Sequence, residues 1–483
     1  MKRSLLAAAL LVLTGCAALN TPLNHPLGQG ENLSLISAEA AARDGEIWVG
    51  LAFSGGGMRA SAFAHGMLEE LRAATATAAD PDGILSDVRL VTGVSGGSVT
   101  AANFALHGPQ SLDRYREIYL TQNAEKYMAN SPVNPLVIAR GLSGGANGRK
   151  TFGRFLDETL FDGATFGDLR KRSNVITWIN ATDLANQTTF LFTPETFDAL
   201  CSDLSDYPIS DAVAASAAFP LVFSPIVLKS HHGTCNYTEP DWLISARHNP
   251  EANSAMRAHA AALESYTDPE KVKYVKLLDG GITDNFGTTG LVIERARART
   301  AYAPMSAQQA VRMKRLLFLV ADAGVEKHYK WSDKLRGPGG PQLAMSIARS
   351  SMGSASRTGY DAMRLELDNW QRDLVEYRCG LPAGQVRKLR GSLRGWNCRD
   401  VKFFVGQVSF DGLEPEMKTR LDEIPTRLRL KTQEVDLTIE AGRISTRQNP
   451  ELNGFLRSVQ GNIFAGVTPA NGKPPRRITP LKN

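Results

Sequence analysis

Beyond Cys16 the 483-residue chain contains no apolar run approaching the roughly 20 residues that a membrane-crossing helix requires. Cysteine is scarce: there are five, none at a Cys-x-x-Cys spacing, which argues against a structural zinc site. Basic residues do not interleave with aromatics, so the footprint of a nucleic-acid binder is missing. No acidic cluster marks a calcium site, and no cofactor is expected. No internal repeat is present, which excludes a solenoid or propeller. The eight histidines show no partner pattern: His65 falls inside a helical pattern, and His231-His232 lies in a polar loop beside Cys235.

What remains is an ordinary globular composition, 43% hydrophobic and 22% charged. The net charge of +6 drops by two if Lys2 and Arg3 are removed, as the N-terminus suggests they are. Met1-Lys2-Arg3 is a basic start, Ser4 to Leu13 is mostly apolar, and Leu13-Thr14-Gly15-Cys16 follows. This is the layout of a secretory signal. Its end resembles the lipobox of bacterial lipoproteins. That resemblance implies cleavage before Cys16 and acylation of its sulfur and new amine. Ala17 in the next position implies an outer-membrane address, and the protein is expected to face the periplasm. Several acyl chains anchor stably where one does not. Such a compartment permits disulfides. Cys201, Cys235, Cys379 and Cys398 allow three pairings, among which the sequence does not choose.

Strand and helix patterns alternate after a polar lead, Ala17 to Glu46, that reads as a tether. Ile47 to Phe53, Val88 to Val91, Val175 to Ile179, Thr189 to Phe192, Val272 to Leu278, Leu316 to Val320 and Lys402 to Phe410 read as strands. A turn across Asp183 to Gln187 joins the third and fourth as a hairpin. Ala60, Phe63, Ala64, Met67, Leu68 and Leu71 recur at helical spacing, Ser98 to Leu106 reads as a helix, and a long helical pattern runs from Leu343 to about Leu374. Pro415 to Ile424 has the proline punctuation of a late helix. Alternation of this kind predicts a layered α/β fold.

Two glycine-flanked loops close the first two strands: Ser54-Gly55-Gly56-Gly57-Met58-Arg59 and Gly93-Val94-Ser95-Gly96-Gly97. The second has the form of a nucleophile elbow, in which small neighbours let a strained strand-to-helix turn present a hydroxyl. The first offers successive N–H groups without side-chain bulk, which suits an oxyanion; losing one such donor costs roughly 3–4 kcal/mol of transition-state stabilisation. Gly55-x-Gly57-x-x-Ala60 also satisfies a dinucleotide fingerprint. The next strand, however, ends at Thr92-Gly93 with no acid for a ribose, and no Gly-Lys-Ser/Thr follows for a phosphate loop. A serine needs a base, and the strand-end aspartate of Asp279-Gly280-Gly281 is the best candidate.

These three pieces, in this order, resemble the patatin-like phospholipase family, with its Gly-Gly-Gly-x-Arg/Lys loop, Gly-x-Ser-x-Gly elbow and Asp-Gly-Gly/Ala motif. Asn180-Ala181-Thr182-Asp183-Leu184 and Ala215-Ser216-Ala217-Ala218-Phe219-Pro220 resemble further blocks of it. Ala60 stands where plant-type members have glycine, so Ser-Gly-Gly-Gly-x-Arg-Ala looks more like the related cytosolic phospholipase A2 group. The resemblance implies a three-layer fold with a mainly parallel central sheet flanked by helices. It implies a Ser95–Asp279 dyad without histidine, an oxyanion hole from Gly55, Gly56 and Gly57, Arg59 stabilising that loop, and no metal. The implied partners are a phospholipid or other acyl-ester lipid and, through Cys16, a membrane; the implied reaction is acyl-ester hydrolysis. Acyl transfer, thioester cleavage and a catalytically silent lipid-binding lipoprotein are the alternatives. The expected organisation is a signal over 1–15, a lipidated tether over 16–46, a catalytic core over 47–325, an extension over 326–465 that completes or caps the core, and a disordered basic tail over 466–483.

Overall fold

The computed structural model describes residues 20–28, 45–129, 145–326, 329 and 331–464. The expected signal, Cys16, most of the lead and the tail lie outside these residues. Among the described residues no helix is long and apolar enough to cross a membrane.

The centre is an eight-stranded sheet. Strands β1 (Ile47–Phe53), β2 (Val88–Val94) and β3 (Ile176–Asp183) are followed by β4 (Thr188–Leu191), β5 (Ile226–Lys229), β6 (Tyr274–Asp279), β7 (Arg315–Ala321) and β8 (Lys402–Val408). The spatial order is β5-β6-β3-β2-β1-β7-β8, with β4 attached to β3. Strands β3, β2, β1, β7 and β8 are parallel, each buried on both faces by helices, which is why they read as continuous apolar runs. The sheet is therefore mainly parallel, but the β4, β5 and β6 pairings are antiparallel.

One face carries Val49, Leu51 and Phe53 under helices α1 (Met58–Thr75) and α2 (Gly96–His107). The other carries Trp48, Ala52, Leu316 and Phe318. It lies under Leu291 of α4 (Thr289–Ala296) and Met363, Leu367 and Trp370 of the 41-residue α5 (Gly340–Gly380). A short helix α3 (Ile209–Ser216) is wholly buried beside β3. Beyond the expected core boundary at 325, β8 pairs in parallel with all seven residues of β7, and α6 (Thr432–Gln448) crosses α1. That crossing is close: a Cβ on Gly66 would overlap the Ile439 carbonyl oxygen, and one on Gly442 would overlap that of Phe63.

Residues 20–28, expected to be part of the tether, instead lie against the body. Asn24 donates to Ser202 Oγ at 3.0 Å and to the Lys229 carbonyl at 2.8 Å, and the Leu27 N–H donates to the Cys201 carbonyl at 2.8 Å. Buried amide side chains in a polar lead explain this, since they supply the backbone partners that a free tether would not need. Disulfides join Cys201 to Cys235 and Cys379 to Cys398.

Candidate active site

The second glycine loop is a sharp strand-to-helix turn. Ser95 has φ 52° and ψ −124°, a left-handed conformation rare for any residue but glycine, and it stands at the N-terminus of α2. The flanking glycines are required by space. A Cβ on Gly96 would collide with the Gly57 carbonyl, and one on Gly97 with those of Phe53 and Ser54. The turn is held from behind by Ser216: the Ser95 N–H donates to Ser216 Oγ at 2.8 Å, and that hydroxyl donates to the Asn180 carbonyl at 2.6 Å. Asn180 in turn donates to Thr92 Oγ1 at 2.8 Å and the Gly93 carbonyl at 3.1 Å. Two of the sequence blocks with no evident chemistry are thus the buttress of the elbow.

Asp279 reaches the same point by a route that the parallel-sheet picture does not predict. Strand β6 runs antiparallel to β3, with Ala181 opposite Asp279, while Asn180 lies opposite Val94 of β2. Register across two strand pairs therefore places the end of β6 next to Ser95 rather than on a shared carboxyl edge. The Ser95 hydroxyl lies close enough to the Asp279 carboxyl to favour its ionised form. The Gly281 N–H donates to Asp279 Oδ1 at 2.9 Å. Ser95 and Asp279 are both buried, at 7% and 2% exposure. Burial pushes the Asp279 carboxyl up to about 6, against the opposing pull of the Gly281 N–H and the Ser95 hydroxyl.

The first glycine loop lies against this pair. A Cβ on Gly55 would come within 3.4 Å of Ser95 Cβ. Here one expectation changes. The Gly55 N–H donates to the Asn285 carbonyl at 3.1 Å, so it is not free to meet an oxyanion. The N–H groups of Gly56 and Gly57 have no acceptor among the described residues. Gly57 has φ +62°, and a Cβ there would press on the Arg427 carbonyl. The Arg59 donors go to segments other than the Ser95 turn. It donates to the carbonyls of Ala323 (3.0 Å) and Ile424 (2.7 Å) and to Thr426 Oγ1 (3.3 Å), while the Met58 N–H donates to the Arg427 carbonyl at 2.8 Å. Burial lowers the Arg59 pKa to about 10, partly offset by Asp322 and Asp422, so it is a cation at neutral pH.

Asn285, Thr426 and Arg427 were not singled out from the sequence. Asn285 follows the Asp279-Gly280-Gly281 motif closely enough to have been suspected. The 424–427 segment acts through backbone carbonyls, for which no residue type is a signal. Neither His65, buried against Tyr115, nor His231, bonded to the Asn24 carbonyl at 3.0 Å, faces the pair. Among the described residues no three histidine, cysteine or acidic side chains converge as a metal site would require.

Residues 51–292, half of the chain, match the family model of patatin-like phospholipases. Among solved structures, the chain is similar to human GIVD cytosolic phospholipase A2, with a TM-score of 0.39 and 11% identity over 88% of this chain. It is also similar to VipD from Legionella pneumophila, with a TM-score of 0.34 and 13% identity over 93% of this chain and 73% of that one. The chain spans 63% of the length of the human structure. No curated protein matches the sequence. The fold, the ordered motifs and the family match lead to one assignment: the chain belongs to the patatin-like phospholipase family.

Proposed function

We propose that the protein is a serine lipid acyl hydrolase of phospholipase A or lysophospholipase type, held at a bacterial outer membrane by lipid on Cys16. The observation that carries the reading is the burial of Ser95 beside Asp279, brought together by the β2–β3–β6 register next to two unpartnered N–H groups, those of Gly56 and Gly57. In this reading Ser95 Oγ attacks the ester carbonyl carbon and gives its proton to Asp279. The negative charge that develops on the carbonyl oxygen is met by Gly56 and Gly57. Collapse expels the alcohol, which takes the proton from Asp279 and leaves an acyl-Ser95 ester. Water then loses a proton to Asp279, adds to that ester and releases the fatty acid as Ser95 regains its proton. A carboxylate with the usual pKa of about 3.9 is a weak base, and burial of Asp279 moves it toward the working pH. Arg59 is a positioning residue in this scheme, since its donors fix the glycine loop to the 424–427 segment.

The test is fatty-acid release from mixed phospholipid vesicles by the full chain and by Ser95→Ala. Release is expected from the first and at least a thousandfold less from the second. Equal release from both would remove Ser95 from the chemistry. An added alcohol acceptor separates hydrolysis from acyl transfer: ester product in place of free acid would reassign the reaction.

A further inference from the structure

Large apolar side chains stand in solvent on the first turns of α5 and in the loop that leads into it. Leu335 is 108% exposed, Leu343 48% and Ile347 62%. Leu343 and Ile347 lie one turn apart on the same helix face. Leu335 sits in a loop where Cβ atoms on Gly337, Gly339 and Gly340 would touch nothing. Single exposed residues need no explanation, but several on one helix face and in the loop leading into it do. Tyr329 and Trp331 stack at 5.3 Å at the start of this segment, the aromatic pair that one expects where an apolar phase meets water.

Two further observations give these residues a direction. One turn beyond Ile347, Ser351 donates to the Ile282 carbonyl at 2.7 Å, and the next residue, Met352, packs over Gly281. The exposed step therefore lies within about 12 Å, along the helix axis, of the turn that holds Asp279. The charge is also one-sided. Residues 331–358 contain a single acid, Asp333, against Lys334, Arg336, Arg349 and Arg357. A second copy of this chain would bring the same cations against each other. An anionic bilayer offers an apolar interior for Leu335, Leu343 and Ile347, and phosphates for the bases.

We propose that residues 331–347 form the surface by which the protein docks onto an anionic phospholipid bilayer. The proposal rests on the lipid-hydrolase reading, but its physical part, insertion of this segment, is independent of turnover. Leu365 is the internal control. It is 61% exposed on the same helix but 18 residues beyond Ile347, between Asp361 and Asp368.

The full chain is compared with Leu343→Asp/Ile347→Asp and with Leu365→Asp. The substrates are phosphatidylglycerol/phosphatidylethanolamine vesicles and a monomeric short-chain ester. The double variant is expected to lose at least tenfold on vesicles and to stay within twofold on the monomeric ester, and Leu365→Asp to stay within twofold on both. Unchanged vesicle hydrolysis by the double variant would overturn the proposal. A second readout does not need activity. An environment-sensitive fluorophore is placed on Leu343→Cys or Leu365→Cys in a Ser95→Ala, Cys16→Ser chain. A blue shift at 343 but not at 365 on adding the anionic vesicles is expected. No shift at 343 overturns the proposal, as does a shift that appears without vesicles as protein concentration rises, which would mark a second copy as the occupant.

Discussion

At the scale of single residues, Asp279 carries the sharpest consequence. Burial raises its pKa to about 6 from 3.8, so it is a base only above that value. On a soluble monomeric ester, log kcat/KM is expected to climb by one per pH unit below about 6 and to level off above it. A flat profile from pH 4.5 to 8 would sink the assignment of Asp279 as the base. The sign for stability is the opposite. A carboxyl whose folded pKa is raised favours folding while it is protonated. That contribution is present below 3.8 and is lost as pH rises through about 6. Asp279→Asn keeps a neutral group in place, so it should raise the melting temperature at pH 8, by an amount corresponding to about 3 kcal/mol, and have no such effect near pH 3.5. Thermal melts of the two proteins at both pH values check this, and an equal or lower melting point at pH 8 would contradict it. That Ser95 and Asp279 come together was legible in the sequence, because both stand at glycine-flanked strand ends. That the Gly55 N–H is engaged by the Asn285 carbonyl was not legible, because only the fold brings the two segments together.

At the scale of elements, most strands announced themselves as apolar runs, since burial on both faces leaves a plain mark. Strand β5, four residues ending at an exposed Lys229, did not. Nor did α6, whose value lies in what it lacks. Gly66 and Gly442 let α1 and α6 approach until each backbone touches the other, and isolated glycines in helical patterns give no hint of that. Alanine is the better helix former by about 1 kcal/mol, yet Gly442→Ala is expected to destabilise by about 1–3 kcal/mol, because a backbone carbonyl cannot yield as a side chain can. Gly66→Ala should do the same. The double variant should cost less than the sum of the two, since one Cβ already forces the helices apart for the other. Urea unfolding of the four proteins measures this. Additivity, or stabilisation by either alanine, would mean that the crossing is looser than the structure has it.

At the scale of the whole molecule, the family match ends at residue 292, but the working unit does not. Three ties join the last third of the chain to the rest of the fold. Strand β8 covers the full edge of β7, which joins β1 on its other side. Helix α6 covers α1, the helix that follows the glycine loop. The 424–427 segment receives the Met58 N–H and two of the three hydrogen bonds of Arg59, a cation 2% exposed. Removing these partners leaves a buried charge short of acceptors, which typically costs 3–5 kcal/mol, a large part of the 5–15 kcal/mol that holds an average domain together. It also opens a seven-residue apolar strand edge to other chains. A chain ending after Val325 is therefore expected to aggregate or to melt without a cooperative transition, and to show no Ser95-dependent hydrolysis even where it stays in solution. Supplying residues 331–464 as a separate chain during refolding should restore both properties, because the lost contacts are non-covalent. A truncated chain that melts cooperatively and hydrolyses ester at the full rate would show that the glycine loop holds its shape without the last third.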